Sequence, residues 1–103
     1  MLVFIHGGSY QGGWAYEPDY HGEAFVRNGV LVVSIAYRLG AFGYLAPAGE
    51  PPNPGLMDQL AALQWVHDNI AAFGGDPQRV TIAGESAGAA AVGTLLAVPE
   101  ADG

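Results

Sequence analysis

The chain has 103 residues, half of them hydrophobic and only 13% charged, enough for one small domain with a modest core. Its net charge is −7, it has no lysine, and its only cationic residues are Arg27, Arg38 and Arg79, so a basic footprint for nucleic acid is excluded and anionic membrane surfaces are poor partners. With no cysteine there is no disulfide framework and no thiolate metal site, and no apolar run reaches membrane-spanning length.

Residues 2–5 are a short, continuously apolar run, which predicts a fully buried strand. The opening lacks a basic lead and is too short for a signal peptide. A domain rarely begins inside its central sheet, so the expectation is a chain that starts mid-fold. His6-Gly7-Gly8-Ser9 follows. Paired glycines after a strand let the backbone turn with its N–H groups outward, able to hold an anion or an oxyanion. An ordinary glycine turn is the simpler reading of these residues alone.

Residues 10–20 mix glycine, aromatics and acids and predict an ordered surface loop. Tyr10 and Trp14 are candidates for lining an apolar pocket, although covering the sheet is the commoner role of such aromatics. Residues 23–28 predict a short helix ended by Gly29. Residues 30–36 are the clearest strand, β-branched and apolar on both faces as in a central parallel strand. Residues 37–54 carry three glycines, Gly40 and Gly43 among them, and four prolines, and predict a long irregular stretch. Residues 55–73 predict the longest helix, with Leu56, Leu60, Leu63, Val66 and Ile70 on one stripe. Gly74-Gly75 ends it and Asp76-Pro77 opens a turn. A strand over 80–83 and a helix over 87–97, ended by Pro99, complete the chain.

Between those last two elements stands Gly84-Glu85-Ser86-Ala87-Gly88, which reads G-x-S-x-G. A strand that reverses into a helix within a few residues brings backbone against backbone, and a Cβ at either glycine would clash. Ser86 then sits on a sharp turn, with the free N–H groups of the following helix aimed at the same spot. The pentapeptide by itself divides evenly between a nucleophile and an exposed serine on a glycine-rich turn. The alternation of strand and helix adds weight. It predicts an α/β architecture, with parallel strands, right-handed crossovers and helices on both faces. The crevice of such a sheet lies off the carboxyl ends of its strands, which puts the His6-Gly7-Gly8 loop and Ser86 on one rim.

These motifs, together with residues 37–43 (YRLGAFG), 53–59 (NPGLMDQ), 62–66 (ALQWV) and 73–77 (FGGDP), resemble the type-B carboxylesterase family, the cholinesterase-like branch of the α/β-hydrolases, and a bacterial member in particular. The match runs over nearly the whole chain in the family's order. The resemblance implies an α/β-hydrolase fold, here partial, with residues 1–103 an internal piece of the N-terminal half of one such domain. It places the first strand between the other two. It implies hydrolysis of a small-molecule carboxylic ester through an acyl-enzyme, with Ser86 as nucleophile and the N–H groups of Gly8, Ser9 and Ala87 as oxyanion hole. Arg38 and Asp58 match a structural ion pair. Glu85 matches an acid near the pocket; a carboxylate held by backbone donors is the equal alternative. No metal or organic cofactor is implied. Two positions depart from the family pattern: Ala36, where Asn is frequent, and Ser9, where Gly or Ala is frequent.

A serine nucleophile needs a base and the base an orienting acid. In this family they follow the serine in the order acid, then histidine. After Ser86 come Glu100 and Asp102 but no histidine. His6 is placed to anchor the glycine turn, His67 lies near solvent beside the helical stripe, and His21 falls in a loop or first turn, so none suits the base. The expectation is a chain that alone is marginally folded and close to inactive. Two other readings stand beside the esterase: a cholinesterase-like adhesion module of the same fold, and a hormone-sensitive-lipase-like esterase, which shares the His-Gly-Gly loop but matches the helix from 55 to 77 less well.

Overall fold

The computed structural model describes residues 1–18 and 22–102. Three parallel strands, β1 (Leu2–Ile5), β2 (Val32–Ile35) and β3 (Thr81–Gly84), form one sheet in the order β2-β1-β3. Ile5 pairs with Ile35 on one side and with Gly84 on the other, so all three strands end on one rim. Among the described residues the α-helices are α1 (Glu23–Arg27), α2 (Gly40–Tyr44), α3 (Pro54–Asn69) and α4 (Ala87–Leu95).

Alternation along the strands divides the sheet into two faces. Val3, Ile5 and Ile35 point one way into a buried cluster with Val66 and Ile70 near the end of α3 and Ala91 and Leu95 of α4. Val32 and Ser34 point the other way and line a cavity with Glu23, Val26 and Arg27 of α1. Helices therefore cover both faces, α3 and α4 on one and α1 on the other. Among the described residues, no helix is long and apolar enough to cross a membrane.

The elements depart from the sequence expectations in four places. The strand expected over 30–36 is paired only over Val32–Ile35. Val30 spends its N–H on the Phe25 carbonyl at the end of α1, 2.9 Å, and Leu31 gives the ladder only a carbonyl, to the Leu2 N–H at 2.8 Å. The third strand is Thr81–Gly84 rather than 80–83, because its partner β1 has pairing residues only for those four positions. The stretch 37–54 is not wholly irregular: α2 forms within it. Gly43 allows this rather than blocking it, because its bare Cα packs against the Arg38 carbonyl and any Cβ would collide there. Finally, α4 ends at Leu95, and Pro99 opens a separate 3-10 turn, Pro99–Ala101, instead of terminating the helix.

The long helix is also divided. α3 stops at Asn69 and Ile70–Phe73 continues as a 3-10 turn. Of the expected stripe, Val66 and Ile70 are buried, while Leu56, Leu60 and Leu63 are half-buried. Gly55 and Gln59 take buried positions nearer the N-terminus of α3.

Candidate active site

β3 ends at Gly84 and α4 begins at Ala87, so two residues make the whole strand-to-helix reversal. The turn is closed by Gly88 N–H donating to the Glu85 carbonyl, 2.8 Å, and Ala90 N–H to the Ser86 carbonyl, 3.1 Å. Ser86 consequently has φ 54° and ψ −118°, a conformation that a residue with a Cβ adopts only when its surroundings over-determine it. The two glycines supply that constraint. The Cα of Gly84 lies on the backbone of Gly88, and the Cα of Gly88 lies on the Ile5 carbonyl oxygen, leaving no space for a side chain at either. Ser86 is exposed, while Ala87 and Gly88 behind it are buried.

The loop after β1 runs directly alongside. A Cβ on Gly7 would come within 3.1 Å of the Ser86 Cβ and would collide with the Glu85 carboxylate, which lies over the Gly7 Cα. The loop then passes through three consecutive left-handed residues, Gly8, Ser9 and Tyr10, with φ 118°, 55° and 61°. The Gly8 carbonyl accepts from Gln11 and Gly12, both at 3.0 Å. Among the described residues, no backbone carbonyl accepts from the N–H groups of Gly8, Ser9 or Ala87. Donors without internal acceptors, two of them on exposed residues and the third on the residue after Ser86, can take up the negative charge of a tetrahedral oxyanion.

His6 anchors the base of this loop. Its buried ring donates from Nδ1 to the Gly7 carbonyl, 2.7 Å, and stacks on Tyr37 with centroids 4.6 Å apart. The Tyr37 hydroxyl donates in turn to the His6 carbonyl, 2.8 Å. His67 is exposed and sits 3.1 Å from Asp68 Oδ1, and His67 with Gln64 holds the Asp68 carboxyl below its usual range. His21 lies outside the described residues. Among the described residues, no hydrogen bond joins Ser86 Oγ to a histidine, and no group of three or more His, Asp or Glu is placed to hold a metal ion.

Arg38, just past β2, forks onto Asp58 of α3 through Nε–Oδ2, 2.8 Å, and Nη2–Oδ1, 2.9 Å, while its own backbone N–H also donates to Oδ2 at 2.9 Å. The guanidinium hydrogen bond holds Asp58 below the usual carboxylate range and raises Arg38. This pair ties the end of β2 to α3.

The aromatics of the first loop separate. Tyr10 packs edge-on against Tyr44, centroids 5.0 Å apart, and lines a cavity of about 900 Å³ together with Ser9, Tyr44 and Gln59. Trp14 does not line it; half exposed, it meets Tyr16 instead, 5.9 Å away. Ser86 is also outside this cavity, and Ser9, which lines it, stands two residues past the Gly7 that packs against Ser86. The reading from sequence missed Gln59, Tyr44 and the Tyr37 support of His6. A polar side chain one turn beyond Gly55, on the buried side of an amphipathic helix, was the available signal for Gln59.

A family model described as the carboxylesterase family matches residues 1–103. The chain is 48% identical to the para-nitrobenzyl esterase of Bacillus subtilis (strain 168) over 108 residues, covering 100% of this chain and 22% of that protein. It is 51% identical to the cholinesterase of Mus musculus over 104 residues, covering 97% of this chain and 17% of that protein. A solved PNB esterase superposes with a TM-score of 0.94 at 48% identity, over 99% of this chain and 23% of that one. The chain thus spans about a fifth of the length of each of these proteins.

Proposed function

We propose, from the premise that the chain belongs to the carboxylesterase family, that it is the nucleophile-bearing part of a carboxylic ester hydrolase. One observation carries the reading: Ser86 stands at φ 54°, ψ −118° on a two-residue strand-to-helix turn, against the glycine loop. Ser86 Oγ attacks the ester carbonyl carbon. The oxyanion is held by the N–H groups of Gly8, Ser9 and Ala87, each such donor worth about 3–4 kcal/mol in transition states of this type. Collapse of the tetrahedral intermediate expels the alcohol and leaves an acyl group on Ser86, and water then attacks that acyl-enzyme to release the acid. Ser9 keeps its N–H and so keeps its place in the hole, while its side chain narrows the approach.

The base that takes the Ser86 proton, and the acid that orients that base, are proposed to lie outside residues 1–103. Relatives about five times as long support this, as does the engagement of His6 with its own loop. Residues 1–103 are thus read as an internal piece of the N-terminal half of the domain. Arg38 and Asp58 act as scaffold. No cofactor takes part in this scheme.

The test is turnover of p-nitrophenyl acetate and butyrate by the full-length protein and its Ser86→Ala variant. Loss of kcat by roughly 10⁴-fold or more is expected, as for other serine nucleophiles. Organophosphate should label Ser86 in the parent alone. Retention of turnover by Ser86→Ala would sink the proposal, and so would efficient Ser86-dependent turnover by residues 1–103 alone, since that chain would then hold its own base.

A further inference from the structure

The cavity beside the glycine loop contains two buried polar atoms without hydrogen-bond partners, Gln59 Oε1 and Tyr44 Oη. Gln59 is 1% exposed, on a helix whose neighbouring positions Leu56, Leu60 and Leu63 are apolar. Tyr44 reaches the same helix because Gly55 leaves room: its hydroxyl lies 2.9 Å from where a Gly55 Cβ would stand, and Gln59 is one helical turn further on. Burial, with Tyr37 and Tyr10 nearby, pushes the Tyr44 phenol up to about 12, so it is a neutral O–H donor. A buried amide oxygen and a buried phenol are rarely left without partners, and a cavity of about 900 Å³ has room for one.

The two atoms define what fits. Gln59 Oε1 can only accept, so a carboxylate would leave it unpaired, while Tyr44 Oη can both donate and accept, and its proton is used only by a group that also carries an acceptor, which an ammonium lacks. A hydroxyl does both. We propose that this cavity is a hydroxyl-binding site, in which one O–H group donates to Gln59 Oε1 and accepts from Tyr44 Oη. Two sources share that chemistry: an ordered water, or a hydroxyl on the ester itself. The second source rests on the ester-hydrolase reading; the first does not. In either case the occupant braces the Tyr44 ring against Tyr10, and thereby the loop that carries Gly8 and Ser9.

The test combines a high-resolution crystal structure of the full-length protein with kinetics on a matched pair of esters, p-nitrophenyl butyrate and p-nitrophenyl 3-hydroxybutyrate. An oxygen within hydrogen-bonding distance of both atoms in the unliganded crystal, lost in Gln59→Met, with an unchanged ratio of kcat/KM between the esters, assigns the site to water. A fall of about five- to tenfold in the ratio of hydroxylated to plain ester, in both Tyr44→Phe and Gln59→Met, assigns it to substrate. Tyr44→Phe keeps the ring and its contact with Tyr10, so it reports on the hydroxyl rather than on folding. Protein groups hydrogen-bonded to both atoms, or no oxygen peak with an unchanged ratio, overturn the proposal. A protein inactive on both esters would count against the hydrolase reading only, because the oxygen peak would still decide the hydroxyl site.

Discussion

Ser86 and the two glycines around it were legible in the sequence because their reason is steric and local. Any chain that turns from strand to helix in two residues must bring Gly84 onto Gly88 and Gly88 onto the preceding strand. Gly88→Ala puts a methyl group into the Ile5 carbonyl oxygen, and within 2.8 Å of that of His6, with no flexible side chain to yield. We expect it to destabilise the full-length protein by about 1–3 kcal/mol, the usual range for overpacking. Gly93→Ala, on the same helix, is the matched control, because nothing lies within 4 Å of the added Cβ. It should be neutral or stabilising by up to about 1 kcal/mol through helix propensity. Urea unfolding of the two variants decides it, and equal effects would refute the assigned packing. Gln59 was not legible in the same way. Periodicity identifies an apolar stripe on α3, but which sector of the helix is covered depends on Tyr44, fifteen residues upstream and on another element.

At the scale of elements, strand limits were less legible than strand existence, for a non-local reason. β2 could have continued at Val30, but the end of α1 takes that N–H. α2 formed where two glycines and nearby prolines argued against it, since close approach to the Arg38 carbonyl requires a glycine at 43. The Arg38–Asp58 fork links two such elements, and its pH dependence has a definite sign. Asp58 is held below its unfolded value by the guanidinium, so its contribution is present above about pH 4, the ordinary carboxylate range, and is lost as pH falls through the folded value. The full-length protein should therefore be more stable than its Asp58→Asn variant at neutral pH, with the two converging in acid. Thermal midpoints measured from pH 7 down to 3 test this. A gap that stays constant over that range would mean that the pair contributes nothing through its charge.

On the scale of the whole molecule, the parallel order β2-β1-β3 follows from alternating strands and helices, but its surface does not look like that of a free-standing domain. At 10.6 kDa a compact monomer exposes about 5,500 Å², whereas this chain exposes 6473 Å². The excess coincides with large apolar side chains in the open: Tyr16, Phe42, Leu45, Phe73 and Leu96 are all more than half exposed. β2 and β3 lie at the two edges of the sheet, and among the described strands β1 alone is paired on both sides. Unpaired edges and bare apolar surface both favour association. Residues 1–103 expressed alone should therefore elute well above 10.6 kDa or bind a hydrophobic dye such as ANS. The full-length protein, in which about four times as much further chain would be available to cover these surfaces, should do neither through them. Size-exclusion chromatography with light scattering, alongside dye binding, separates the cases. A monomer that unfolds cooperatively and leaves the dye dark would show that these edges and aromatics need no cover, and would remove the main structural argument that the rest of an esterase domain packs against them.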